Sequence, residues 1–136
     1  MANNLSTYLQ QKSLNWLKGT AFPSSPTNTY VALFTTQPAN DGTGGTEVSG
    51  GGYARQAIAT SGWSAISGAT PSQISNANIV NFGTATANWG TIVAAGLYDA
   101  SSSGNLLYVA ALSVNKTVNN GDSFSFPVGN FVVQSD

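Results

Sequence analysis

Apolar residues concentrate in two unbroken runs near the middle of the chain, IVAAGLY at 92–98 and LLYVAAL at 106–112. The stretch between them, DASSSGN at 99–105, is small and polar. Two such runs around a Gly, Asn, Asp and Ser cluster predict a β-hairpin with a longer loop. Nearly every position in both runs is apolar, so both faces of each strand are expected to be buried, as in the centre of a packed sheet. Periodicity alone leaves a buried helix open; the Val, Ile and Tyr content and Gly96 favour strand.

Helical spacing occurs near the start. Residues 4–18 are predicted as a helix, with Asn4 as N-cap and Gly19 at the C′ position. Leu5, Tyr8, Leu9 and Trp16 share one stripe, which predicts a face packed on the sheet. Leu14 and Leu17 lie off that stripe, and a helix that is apolar on more than one side needs more than one neighbour. Leu14, Trp16 and Leu17 are therefore candidate intersubunit contacts. A turn-rich link with Pro23 and Pro26 follows. Strands are then predicted at 29–36, 53–60, 73–82, 113–118, 123–126 and 131–134, besides the central hairpin. The Asn120-Gly121 pair predicts a tight hairpin between 113–118 and 123–126. One helix followed by about eight short strands predicts a mainly β fold: an antiparallel β-sandwich or jelly-roll-like domain with one N-terminal α-helix. No linker or internal repeat is visible, so 1–136 is expected to be a single domain, with the helix at 4–18 and the sandwich at 29–134.

Composition narrows the chemistry. The chain has neither Cys nor His, which removes disulfides, thiolate nucleophiles, a Ser-His-Asp triad and the usual zinc ligands. Charged residues are only 7% of it, with four cations, five anions and a formal net charge of -1. No basic stripe exists to neutralise phosphates, so nucleic-acid binding is not expected. A surface kept soluble by Ser, Thr, Asn, Gln and Gly, with almost no net charge, suits a protein that works inside an assembly. The longest apolar runs are far too short for a membrane helix. The segment MANNLSTYLQQK lacks the basic and apolar regions of a secretory signal, so synthesis in a cytoplasm without export by a standard secretory route is expected. The Asn115-Lys116-Thr117 sequon then has no consequence.

Candidate sites are few. Arg55 is the lone arginine and Glu47 the nearest acid in sequence, a pair expected to act as a loop latch. Asp41 and Glu47 have no spacing that marks a glycosidase pair, and no catalytic role is expected. The glycines at 42–52 are not followed by the Gly-Lys-Ser/Thr of a phosphate loop. Asp99 has too few acidic neighbours for a calcium cage and reads as a turn residue. No cofactor or metal is expected.

The segments LNWLKGTAFPSSPTNTYVALFTTQP, GTEVSGGGYARQAIA, NFGTATANWGTIVAAGLYDASSSGNLLYVAAL and KTVNNGDSFSF, in that order, resemble a family of small tailed-bacteriophage virion structural proteins. Its members are often labelled tail-fibre or minor tail proteins, and similar small β proteins act as capsid cement or decoration proteins. The resemblance implies a virion location and brings no catalytic motif. The expectation drawn from it is a capsid cement protein, a homotrimer whose partner is the major capsid protein and which stabilises the assembled shell from outside. A tail-fibre or baseplate-associated protein that contacts the host surface, with Trp63 and Tyr53 as glycan-facing aromatics, is the alternative. A free carbohydrate-binding module is a further one.

Overall fold

The computed structural model describes residues 3–135. The elements, in order, are β1 (Asn3–Leu5), α1 (Thr7–Leu17), β2 (Asn28–Thr36), β3 (Thr46–Glu47), β4 (Gln56–Ala59), a single 3-10 turn (Thr60–Gly62), β5 (Ser72–Ser75), β6 (Val80–Thr84), β7 (Gly90–Tyr98), β8 (Leu106–Val118), β9 (Ser123–Phe126) and β10 (Val132–Ser135). The fold is mainly β with one helix and antiparallel sheets, as the alternation and turn signals predict.

The central hairpin organises it. β7 and β8 form the middle of a six-stranded sheet ordered β1-β8-β7-β2, with β3 and β4 both on the outer edge of β2. β4 pairs with Asn28 to Val31 of that strand, and β3 with Phe34 and Thr36. On that outer edge neither β3 nor β4 is in register with Leu33; the Tyr53 hydroxyl accepts its amide at 3.0 Å and the Val48 amide donates to its carbonyl at 3.0 Å. A second layer consists of two ladders, β5–β10 and β6–β9.

Both faces of the large sheet are covered along 92–98 and 106–110, which is why those stretches are apolar; β8 then continues as an exposed, largely polar half to Val118. Val31, Leu33, Ile92, Ala95 and Leu97 point towards the second layer. There Phe82, Phe124, Phe126 and Phe131 meet edge to face, at centroid separations of 5.2–6.5 Å. Such pairs add about 0.5–1.5 kcal/mol each to their area burial. Ala32, Phe34, Ala94, Tyr98, Leu106 and Val109 point the other way and form a smaller cluster.

Three sequence expectations need correction. The strand predicted at 73–82 is two strands, because the chain turns at Asn76. β5 then pairs with β10 and β6 with β9. The Asn120-Gly121 turn exists, with Gly121 at φ +91° and the Asp122 amide bonded to the Asn119 carbonyl at 2.9 Å. The strands it joins do not pair with each other; β8 belongs to the large sheet and β9 to the second layer, so the turn passes the chain between layers. The helix starts later than predicted. Asn4 lies in β1, opposite Val109, and the N-cap is Ser6, whose hydroxyl accepts the Leu9 amide at 3.2 Å. Backbone pairing with β8 wins at 3–5 because the edge of that strand would otherwise be unpaired.

Candidate functional site

Helix α1 is rooted firmly and then leaves the body. Ser6 is fully buried, and its amide donates to the Leu107 carbonyl at 3.0 Å while the Thr7 amide donates to the Asn40 carbonyl at 2.9 Å. The far end closes as the sequence predicts. Gly19, at φ +92°, donates to the Trp16 carbonyl at 3.1 Å and Thr20 to the Asn15 carbonyl at 2.9 Å, the paired bonds of a Schellman cap. Between these ends the 11-residue helix buries none of its residues.

The expected stripe of Leu5, Tyr8, Leu9 and Trp16 is therefore split. Leu5, Tyr8 and Leu9 are half-buried near the root. Trp16 is 61% exposed, with Leu14 at 61%, Leu17 at 74% and Phe22 at 46%. The three candidate contact residues are thus all exposed near the C-terminal end of the helix. Lys12 folds back over the Tyr8 ring at 5.2 Å and leaves that end uncovered.

Two recesses meet at Leu107 of β8. A cleft of about 500 Å³ opens between Tyr8, Leu9 and the 22–26 segment, with Leu107 on its wall. A groove of about 300 Å³ is lined by Trp63, Ile66, Ile74, Tyr108 and Val133, and Leu107 borders it too. Leu107 stands between Leu106 and Tyr108, where the β7–β8 register shifts; it is the extra residue of a bulge. Composition could not reveal that the two recesses share a wall.

Glu47 and Arg55 meet. Arg55 donates from Nε to Glu47 Oε2 at 3.0 Å and from Nη2 to Oε1 at 2.8 Å. Its Nη1 donates to the carbonyls of Ala100 at 3.0 Å and Ser103 at 2.8 Å, and the guanidinium lies 3.8 Å from the Tyr98 ring centroid. These bonds occupy most of its donors, leaving little to grip a ligand carboxylate. The pair ties β3 and the segment before β4 to the tip of the central hairpin. That loop is also braced by Asp99, which accepts from the Asn105 amide at 2.7 Å and side chain at 2.8 Å. Among the described residues no cluster of acidic side chains could hold a metal ion.

Tyr53 completes the latch. Its hydroxyl donates to Glu47 Oε2 at 2.8 Å, and its ring stacks on Phe82 and meets Trp89 edge-on. It is partly buried and packed against the core, not the exposed glycan-facing aromatic expected from sequence; Trp63 is likewise half-buried, in the groove wall. Trp89 in turn orders the glycine-rich loop, donating from Nε1 to the Gly51 carbonyl at 2.9 Å. Gly51 has φ +59°, and a Cβ there would sit 2.9 Å from that nitrogen, so only glycine fits.

Burial pushes the Tyr53 phenol far above its ordinary value of 10.0; the Leu33 amide opposes this and the Glu47 carboxylate adds to it. Burial alone would lower Arg55, yet its bonds to Glu47 hold it above the usual guanidinium value. Tyr53 stays protonated in the folded state after its unfolded form has ionised. The unfolded chain then binds fewer protons, and stability falls as pH rises past about 10. Urea titrations between about pH 8.5 and 11 are expected to show this fall, with a shallower slope for Tyr53→Phe. Equal slopes would show that Tyr53 ionises freely.

The family of Podophage GP4 fiber I protein gp80 matches residues 4–134. The chain belongs to that family. It is a bacteriophage virion structural protein of a fibre type. The capsid-cement expectation goes beyond what this membership supports. No curated protein matches the chain.

Proposed function

We propose that this protein is a component of the phage tail fibre, and that it joins its assembly through the helical arm. The observation that carries this is a helix with no buried residue that leaves Leu14, Trp16 and Leu17 exposed. An isolated helix of this length is marginal in water, and leaving Leu14, Trp16 and Leu17 exposed forfeits about 1.5–3 kcal/mol of burial for each large apolar side chain. A partner surface supplies what the chain's own core does not. The fibre description of the family favours the tail over the capsid exterior as the place of assembly. We read the role as mechanical and the oligomer as a homotrimer. The weakly charged β surface offers little for a charged partner to grip.

Gold-labelled antibody on intact phage tests the location. Label at the tail supports the fibre reading; label spread over the head overturns it and restores the cement role. Leu14→Asp tests the arm. This side chain is 61% exposed, so the melting temperature of the variant should match the wild type, within about 0.5 kcal/mol of stability. Incorporation into particles should drop sharply. Normal incorporation would show that the arm is not the contact.

A further inference from the structure

We propose that Asn120 is a deamidation site whose reaction is gated by the turn between β8 and β9, and that its conversion loosens the junction between the two layers.

Asn120 is the chain's single asparagine followed by glycine. In that dipeptide the glycine nitrogen can attack the side-chain amide carbon with no Cβ of its own in the way. The bond that forms joins Gly121 N to Asn120 Cγ. The nitrogen gives up its proton, the Cγ–Nδ2 bond breaks and ammonia leaves. Water then opens the five-membered imide at either carbonyl, giving aspartate or an isoaspartyl link that runs through Cβ. Water is the sole co-reactant. Asn120 and Gly121 are both exposed and open to it.

The turn holds the nucleophile back. It is closed by the Asp122 amide on the Asn119 carbonyl at 2.9 Å, and of its two central residues Gly121 alone has a positive φ, at +91°. That combination is a type II turn, in which the Asn120 ψ is about +120°. Ring closure needs the Gly121 nitrogen eclipsed with Asn120 Cβ, and this ψ turns it away. The same N–H donates to the Ala85 carbonyl at 2.8 Å, and the Ala85 amide donates back to the Asp122 carbonyl at 2.8 Å. Ala85 is 1% exposed, so the pair is fixed to the core. On the other side the Asn120 amide donates to Asn88 Oδ1 at 2.8 Å, and the Asn119 amide to Asp122 Oδ2 at 2.9 Å. The reaction therefore waits for a local opening that breaks these bonds. Asp41-Gly42 has comparable backbone freedom. Asp41, however, accepts the Thr43 amide at 3.0 Å and hydroxyl at 2.6 Å, which favours the ionised carboxylate, a poor electrophile.

Conversion undoes the junction. An isoaspartyl link adds one main-chain carbon between Asn119 and Asp122, so the turn bond and the Ala85 pair cannot both keep their register. Either product also sets a carboxylate near that of Asp122, an unfavourable meeting of like charges. The strand that follows carries Phe124 and Phe126 into the core, and this turn is its link to the large sheet. In a virion structural protein such conversions accumulate, because an assembled particle makes no replacement.

The full-length protein, native or unfolded in urea, would be held at mildly alkaline pH and followed by peptide mass spectrometry with enzymatic labelling of isoaspartate. Conversion is expected at Asn120 before any other asparagine. It should run at least about tenfold slower in the native protein, since two or more hydrogen bonds must open first. Asn88→Ala, at an exposed position, removes one clamp and should speed native conversion roughly threefold or more. Aged wild type should exchange amide hydrogens faster at 84–86 and 119–126 than aged Asn120→Ser, which cannot form the imide. Equal rates in native and unfolded protein, earlier conversion at another asparagine, or unchanged exchange in the converted fraction overturns the proposal. If Asn88→Ala fails to fold, the comparison of native with urea-unfolded wild type decides alone.

Discussion

Replacing Arg55 by alanine lowers the melting temperature by roughly 10–20 °C, the largest effect expected of any surface-proximal residue in this protein. The Arg55 side chain is 8% exposed and its partner Glu47 26%. Removing one member of such a buried pair costs about 3–5 kcal/mol, because the other charge stays behind without its partner. Each kcal/mol is worth several degrees in a domain of this size. Here the loss is compounded: Glu47 and Tyr53 keep a lone bond to each other, the Ala100 and Ser103 carbonyls lose their donor, and Tyr98 loses the guanidinium over its ring. Scanning calorimetry measures it. Hydrogen exchange should also show faster exchange in the 99–105 loop. Arg55→Lys should fall between, since an ammonium cannot span a carboxylate and two carbonyls at once. A drop of less than about 3 °C for Arg55→Ala, near the effect of an ordinary surface pair, would mean that the latch is dispensable.

Asn76→Leu is expected to cost about 3 kcal/mol or more and to loosen the second layer selectively. Asn76 is 1% exposed. Its Nδ2 donates to the carbonyls of Asn78 at 2.8 Å, Pro127 at 3.0 Å and Phe126 at 3.2 Å. Its Oδ1 accepts the Phe131 amide at 2.9 Å. One side chain thus fastens the turn after β9 to the end of β5. Leucine has similar volume but satisfies none of these groups, and each buried group left unpaired costs about 1–3 kcal/mol. Asn76→Asp would keep the acceptor and lose the donors. Burial would raise the pKa of the introduced carboxyl above its unfolded value, so the variant should regain stability as pH falls and the carboxyl becomes a donor. Chemical denaturation at about pH 4 and about pH 7 reads this directly. Equal stability at both values would show that the site admits water.

Much of the sheet was legible because burial leaves a mark on composition. The runs at 92–98 and 106–110 face apolar neighbours on both sides, so neither could tolerate polar alternation. Phe124 and Phe126 alternate with serines because one side of β9 is wet. Gly19 marked the helix end because the left-handed conformation there selects glycine. The family resemblance read from the quoted segments agrees with the fibre-type membership.

Other features depend on residues far apart in sequence. Nothing near Arg55 announces the carbonyls of Ala100 and Ser103, 45 and 48 positions away. Asn76 looks like one more polar residue in an alternating strand until Phe126, Pro127 and Phe131 are brought around it. An Asn-Gly turn has the same local chemistry whether its flanking strands pair with each other or part into separate layers. By itself the sequence determined the central hairpin, the mainly β character and the C-terminal end of the helix, because those follow from local backbone preference and from side chains that must leave water. The tertiary structure alone decided which edge each strand joined, that Tyr53 packs against the core, and that Leu14, Trp16 and Leu17 stay exposed on the helix. Those outcomes are set by which surfaces compete for the same apolar faces and unpaired backbone groups, and that competition exists only in three dimensions.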